Sequence, residues 1–214
     1  QRIKSFIERM LSFSLILSSF LGNFFLSEGA GLGNKTYDYQ APIGEFGLAS
    51  AGFYHLKLIN YFLRDFGADL APLYTVLPAT NDSIRSDNLT TLRYAVRSDG
   101  SKGYLFMHNY QDHAQMADME GLQLNITTKK GNIRFPRTGQ LTLKAGSSAI
   151  FPFHTTYNGL KLQMATVQPF TEFENKGKKH HVFVSVDGIQ PEMVFDGKIK
   201  VIGSDVRTNF ANGQ

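Results

Sequence analysis

One short loop concentrates the groups that could do chemistry. It reads KTYDYQAPIGEFG (residues 35–47) and holds two phenols, Tyr37 and Tyr39, and two carboxylates, Asp38 and Glu45. Tyrosines two positions apart share one face of an extended segment. A tyrosine offers its ring face to a sugar and its hydroxyl to the sugar oxygens. The loop therefore indicates a sugar platform, although packing of these rings against the next element would give the same pattern.

The two carboxylates of the loop raise the possibility of glycoside hydrolysis. That reaction needs two carboxylates across the scissile bond, about 5 Å apart when the enzyme retains the anomeric configuration and further apart when it inverts. Asp38 and Glu45 are of the right type, but Pro42 lies between them and their separation is open. Such residues more often cap a turn or pair with a base. We therefore assign neither a catalytic role.

Other reactive groups are sparse. The chain has no cysteine, which excludes disulfides, thiolate zinc sites and thiol nucleophiles. Of its six histidines, His180 and His181 are adjacent at the start of an expected strand, so they should point to opposite faces. No zinc-binding histidine motif, nucleophile elbow or phosphate loop is present. We predict no metal and no cofactor.

The charge pattern does not favour a nucleic-acid partner. The net charge is +4, and the densest basic stretch, NKGKKHH (residues 175–181), lies between two strand-like segments. No nucleic-acid recognition motif accompanies it. We interpret it as a solvated hairpin tip.

The N-terminal segment differs in character from the rest. Basic residues precede an uncharged run from Met10 to Leu26, the pattern of a secretory signal, and the run is marginal as a membrane span. A signal or anchor, a helix covered by other residues, and a frameshifted or truncated reading frame remain open. A signal or anchor would imply a secreted or periplasmic protein that touches a membrane only through residues 10–26.

Hydrophobic spacing predicts one helix followed by many strands. Apolar residues recur every three to four positions from Ser50 to Gly67, with Ser50 as N-cap and Gly67 as the glycine beyond the C-terminus. A proline-containing polar linker follows, with a domain boundary near 80–88, and period-two segments with turn residues between them occupy the remainder. The predicted strands include 89–98 and 104–111, joined by the glycine-containing turn DGSKG, and the later segments 148–157, 160–173 and 198–203. We predict an apolar segment at 1–26, a helical part at 27–80 and an antiparallel β-domain at 81–214, built as a sandwich or an open barrel.

At the level of whole motifs the chain resembles glycoside hydrolase family 35, the β-galactosidases. TYDYQAPIGEFG is similar to a motif of that family, and the likeness continues through DFGADLAPLYTVLP, TLRYAVRSDGSKGYLFMHNYQ and LQMATVQPF, from about Ser27 to Gly197. The resemblance implies that the motif closes the last strand of a (β/α)8 barrel, that the final barrel helix follows, and that an antiparallel β-sandwich-like domain comes next.

The resemblance also implies a function. The family removes terminal β-linked galactose from glycans with retention of configuration. Tyr37 and Tyr39 would line the galactose pocket, with Asp38 and Glu45 behind them. The two catalytic glutamates belong to earlier barrel strands that have no counterpart here, so the resemblance implies a chain that is inactive alone. The alternative is an exported carbohydrate-binding or scaffold β-module.

Overall fold

The computed structural model describes residues 41–197 and Ile199. They fall into two units. The first unit comprises residues 41–75 together with Phe170–Val182, and the second comprises Val76–Pro169 together with the described residues from Phe183 onward. The predicted N-terminal segment lies outside the described residues, and the domain boundary predicted near 80–88 stays a prediction.

Helix α1 spans Ala51–Leu70 and begins where the sequence predicts. Ser50 has the extended backbone of an N-cap, but its side chain makes no capping hydrogen bond. The predicted end at Gly67 is wrong, because the helix continues for three more residues. Phe66 and Leu70, four positions apart on one face, are both buried. Their burial outweighs the cost of about 1 kcal/mol that a glycine imposes inside a helix.

Thirteen short strands follow α1 in the described chain. They are β1 Tyr74–Val76, β2 Arg93–Ser98, β3 Gly103–His108, β4 Met119–Leu122, β5 Leu124–Thr128, β6 Gly131–Phe135, β7 Leu141–Leu143, β8 Ser148–Phe153, β9 Thr156–Tyr157, β10 Leu160–Ala165, β11 Val167–Asn175, β12 Lys178–Ser185 and β13 Met193–Phe195. The prediction of a mainly β chain with a helical N-terminal part and antiparallel sheets is confirmed at this level.

The principal sheet of the second unit contains β2, β3, β8, β10 and β13 in that order, with β9 paired to β10. The β2–β3 pairing runs in antiparallel register from Arg93↔His108 to Ser98↔Gly103. Gly103 is required by this close approach, since an added Cβ would lie 2.0 Å from the carbonyl oxygen of Arg97. Two smaller antiparallel pairs, β4–β7 and β5–β6, complete the strands that lie wholly in this unit.

The core of the second unit is apolar and closely packed. Leu105, Phe135, Leu143, Phe151 and Phe153 are fully buried in it. Phe135 stacks on Phe151 with ring centroids 6.3 Å apart and meets Phe153 edge-on at the same distance. Alternating apolar residues on the paired strands supply these side chains, as the period-two pattern predicts.

Two predicted strands are interrupted, and one strand was missed. The segment predicted over 148–157 breaks after β8 because His154 has a φ of +50°, which no strand residue adopts. The segment predicted over 160–173 breaks at Thr166, whose hydroxyl donates to the Gln190 carbonyl. Strand β1 lies in the predicted linker and is too short to show alternation. The strand predicted over 198–203 lies outside the described residues except for Ile199.

No helix among the described residues has both the length and the apolar character needed to cross a lipid bilayer.

Candidate functional site

The structure describes one of the four predicted site residues. Tyr37, Asp38 and Tyr39 lie outside the described residues, so their proximity to one another stays a prediction. Glu45 is described and lies exposed on the loop that precedes α1. Its position behind the tyrosines likewise stays a prediction.

The loop around Glu45 is closed by backbone contacts. Ile43 and Ala49 form an isolated antiparallel bridge, and the Ser50 N–H donates to the Pro42 carbonyl at 2.9 Å. Glu45 therefore occupies the outer end of a tight turn that leads directly into α1.

The same turn and the first half of α1 carry an exposed apolar surface. Phe46 is 83% exposed and Leu48 is 76% exposed. The full set, called here the apolar surface, is Ile43, Phe46, Leu48, Tyr54 and Leu58. Single exposed apolar residues are ordinary, but a set of this size in one short stretch is typical of a surface that another body covers.

The second half of α1 is packed instead. Phe62, Phe66 and Leu70 are buried, and the rings of Phe62 and Phe66 lie 5.7 Å apart. Tyr61 contacts Phe170 of β11 with ring centroids 5.0 Å apart. Within the first unit, the helix is therefore held by its C-terminal half.

A polar group called here the Asp65 cluster links α1 to β11. Arg64 Nε donates to Asp65 Oδ1 at 2.6 Å, and the Glu172 N–H donates to Asp65 Oδ2 at 2.9 Å. The Thr171 hydroxyl donates to the same carboxylate and accepts from Arg64 at 2.9 Å. The Arg64 guanidinium also lies 4.7 Å from the Tyr61 ring centroid. Strand β11 pairs with β12 in a two-stranded sheet, called here the hairpin. The carboxylate thereby binds both a side chain and the backbone of the hairpin.

These hydrogen bonds keep Asp65 ionised. The hydrogen bond from Arg64 lowers the pKa of Asp65 far below its ordinary value, and Thr171 and the Glu172 N–H lower it further, against the opposing effect of burial. A general acid or base works best with a pKa near the operating pH. Asp65 is therefore suited to holding the hairpin and not to transferring a proton.

Glu172 extends the polar contacts along the hairpin. It accepts from Lys179 Nζ at 2.6 Å, and His181 Nδ1 lies 3.3 Å from its other oxygen. Burial lowers the pKa of His181, with Glu172 opposing that effect and Lys179 adding to it. His180 instead stacks on the exposed Phe173, with ring centroids 5.0 Å apart. The two adjacent histidines thus have different surroundings.

The described residues contain no grouping of three or more histidine, aspartate or glutamate side chains that could hold a metal ion. The prediction that no metal or cofactor is bound stays a prediction for the whole chain.

A second polar group lies on the loop between β3 and β4. Tyr110 Oη donates to Asp112 Oδ1 at 3.3 Å, and His113 Nε2 lies 3.4 Å from Asp112 Oδ2. The charge of Asp112 and this hydrogen bond raise the pKa of Tyr110 above its ordinary value. One carboxylate therefore joins a phenol and an imidazole on the surface of the second unit.

Sequence reasoning missed both polar groups. Asp65 and Thr171 are 106 positions apart, and nothing in the local sequence around either one indicates the other. The Tyr110 group did leave a signal, since a tyrosine, an aspartate and a histidine occur together in NYQDH (residues 109–113), directly after β3. Loops that follow strands are frequent positions for binding residues.

Comparison with known proteins adds no assignment. No model of a known protein family matches the chain, and no curated protein matches it. The likeness to glycoside hydrolase family 35 therefore depends on the quoted motifs, and the function that follows from it is a proposal.

Proposed function

We propose that this chain is part of a retaining glycoside hydrolase that removes terminal β-galactose from glycans, and that it does not hydrolyse galactosides alone. In this proposal residues 27–80 are the end of a catalytic (β/α)8 barrel. Residues 81–214 are an antiparallel β-sandwich-like domain that follows the barrel. The signal-like residues 1–26 favour a secreted or periplasmic setting.

The observation that carries the proposal is the apolar surface beside the motif. Helix α1 begins at Ala51, directly after the loop that ends the TYDYQAPIGEFG motif. In a (β/α)8 barrel each outer helix covers the strand layer with an apolar face. A last barrel helix separated from that layer would expose apolar residues. Tyr54 of α1 is 61% exposed, and Phe46 and Leu48 of the loop that leads into α1 are 83% and 76% exposed.

The proposed roles follow from the retaining mechanism. That mechanism needs one carboxylic acid to protonate the leaving oxygen and one carboxylate to form the glycosyl-enzyme. We assign both to other parts of the enzyme and none to this chain. Tyr37 and Tyr39 bind the galactose ring, while Asp38 and Glu45 support them. Glu45 lies at the end of a turn closed by its own backbone, which suits a supporting role.

The first test is an activity assay of the chain as it stands. A chromogenic β-galactoside is incubated with the purified chain and with a mock purification from the same host. We expect equal, background rates. A rate that is well above the mock purification and that follows the chain through a second column would contradict the proposal.

The second test uses the gene. We expect the DNA upstream of the codon for Gln1 to encode barrel strands with two glutamates, in the same frame or after a one-base shift. In the protein encoded by that frame, Tyr37→Phe should raise KM about tenfold, the loss of one good hydrogen-bonding contact. Tyr74→Phe, at a 76% exposed position of β1 outside the apolar surface, is the matched control and should leave KM unchanged. An unrelated upstream sequence, or equal effects of the two variants, would count against the proposal.

A further inference from the structure

The loop between β3 and β4 is held at both ends. At its start, Asn109 is fully buried, and its Nδ2 donates to the Ala117 carbonyl at 2.8 Å and to the Leu143 carbonyl at 3.0 Å. At its end, Asp118 accepts from Lys144 Nζ at 2.7 Å. Residues 110–117 are therefore presented between two fixed points on the second unit.

The side chains near the start of this loop face solvent. Tyr110 is 53% exposed, and the side chains of Asp112 and His113 are 70% and 93% exposed. His113 has a φ of +57°, a conformation that side-chain-bearing residues adopt at some energetic cost. The large aromatic residues of the nearby core, such as Phe151 and Phe153, are by contrast completely buried.

We propose that Tyr110, Asp112 and His113 form a shallow surface subsite for a neutral saccharide with neighbouring hydroxyl groups. The exposed ring of Tyr110 supplies an apolar face for the sugar ring. The two oxygens of Asp112 accept hydrogen bonds from adjacent hydroxyls. His113 offers a further polar atom beside them.

The contacts inside the group suit an exchangeable site. Hydrogen bonds of hydroxyl groups have their most frequent length near 2.7–2.8 Å. The Tyr110 Oη–Asp112 contact, at 3.3 Å, and the His113 Nε2–Asp112 contact, at 3.4 Å, are both longer, and the His113 backbone N–H donates to Asp112 Oδ1 at 3.1 Å. A sugar hydroxyl can therefore replace either side-chain partner of Asp112 at small cost, while the backbone hydrogen bond keeps the carboxylate in place.

The chemistry of the group argues against other small ligands. The charge of Asp112 repels anions such as phosphate. A single carboxylate supplies too few oxygen ligands for calcium or magnesium. A neutral polyol with one apolar face is not repelled by the charge of Asp112, and it does not need several oxygen ligands.

The inference does not depend on the β-galactosidase proposal. Carbohydrate binding by the β-rich part of the chain is the alternative that the sequence leaves open, and this loop gives it a position. Binding is measured without turnover, so its failure and the failure of the hydrolase proposal are separate results.

The experiment is a titration of the purified chain with lactose and with maltose, followed by ligand-observed NMR and by calorimetry. We expect saturable binding of at least one disaccharide with a Kd on the order of 1 mM, as suits a shallow site with few contacts. Asp112→Asn and Tyr110→Ala should each weaken binding about tenfold or more.

The matched controls are Asp82→Asn and Tyr54→Ala, which change the same residue types at other exposed positions. They should leave the Kd unchanged. Circular dichroism of Asp112→Asn checks the fold, and a substitution at this largely exposed side chain should not alter it. Absence of saturation with both sugars, or equal binding by the Asp112 variant and its control, would overturn the proposal.

Discussion

The core of the second unit and helix α1 of the first unit are stabilised in different ways. The core consists of strands that bury one another's apolar side chains, with five residues completely buried, Phe135 and Phe151 among them. Among the described residues, the buried side chains of helix α1 lie in its C-terminal half, where an ionised carboxylate binds the hairpin. Its first half leaves apolar residues exposed.

The core of the second unit buries its own apolar side chains, whereas the first half of α1 leaves apolar side chains exposed to solvent. Burial of apolar area is the main favourable term in folding, so the second unit contains its own driving force. A helix with an exposed apolar face gains further favourable free energy when another protein segment covers that face. The apolar surface is for this reason the feature that most favours a larger protein around the first unit.

The largest expected effect is on the core of the second unit. Phe151→Ala should lower the free energy of unfolding by about 3–5 kcal/mol, because it removes a completely buried ring and leaves a cavity. Urea unfolding followed by circular dichroism measures it. Phe173→Ala, at a position 48% exposed on the hairpin, is the matched control and should cost much less. Equal losses would show that burial does not separate these sites.

A smaller effect is expected at the Asp65 cluster. Asp65→Asn should lower the free energy of unfolding by about 1–3 kcal/mol, since it removes the charge that holds Arg64 and weakens the acceptor for Thr171 and Glu172. Asp69→Asn, an exposed aspartate on the same helix, is the matched control and should change it less. A larger loss at Asp69 would contradict the assignment of the link to Asp65.

The difference in the free energy of unfolding between wild type and Asp65→Asn should also depend on pH. The pKa of Asp65 is lower in the folded state, so its contribution is complete above the unfolded value of about 3.9 and is lost as pH falls towards the folded value. The stability gap between wild type and Asp65→Asn should be constant near neutral pH and should narrow below about pH 4. A gap that narrows between pH 7 and pH 5 would contradict this.

His108 provides a pH effect in the second unit. Burial and, to a smaller extent, the charge of Arg93 lower its pKa in the folded state. The unfolded state therefore binds the proton more readily, and stability is lost as pH falls below the unfolded value of about 6.5. His108→Gln should make unfolding stability less dependent on pH between 7.5 and 5.

Arg93→Gln is the comparison variant for that slope. It removes the smaller cause and leaves burial in place, so the pH dependence should decrease less than in His108→Gln. Urea unfolding at several pH values measures both slopes. A larger decrease of the pH dependence in Arg93→Gln than in His108→Gln would contradict burial as the main cause of the lowered pKa of His108.

The smallest effect on stability is expected at the apolar surface. Replacing Phe46 and Leu48 together by serine should change the free energy of unfolding by less than about 0.5 kcal/mol, as is usual at exposed positions. It should nevertheless reduce self-association in light scattering and binding of a hydrophobic dye. A loss as large as that of Phe151→Ala would mean that these residues are covered in solution.

The sequence predicts the elements well where a pattern is local. Helix α1 follows from apolar spacing and begins one residue after the predicted cap, Ser50. The β2–β3 pair follows from alternation and from the glycine-containing turn between the strands. Prediction from the sequence fails where tertiary contacts decide. The helix continues past Gly67 because Leu70 is buried in the folded chain.

The candidate sites likewise divide into one that a local motif indicates and one that depends on contacts between distant residues. The TYDYQAPIGEFG motif could be singled out because its residue types and spacing are themselves the signal, and its role in sugar binding stays a prediction. The Asp65–Thr171 link could not be found, because a contact between residues 106 positions apart depends on how the hairpin and α1 pack.

What the sequence determined by itself is the mainly β character of the described chain, the start of its helix and the absence of cysteine chemistry. These depend on residue type and on periods of two or 3.6, which are properties of neighbours along the chain. The tertiary structure alone decided which carboxylate holds the hairpin, which tyrosine faces solvent and which half of α1 is buried. Those properties depend on burial and on hydrogen-bond partners, and a chain acquires both only when distant segments meet.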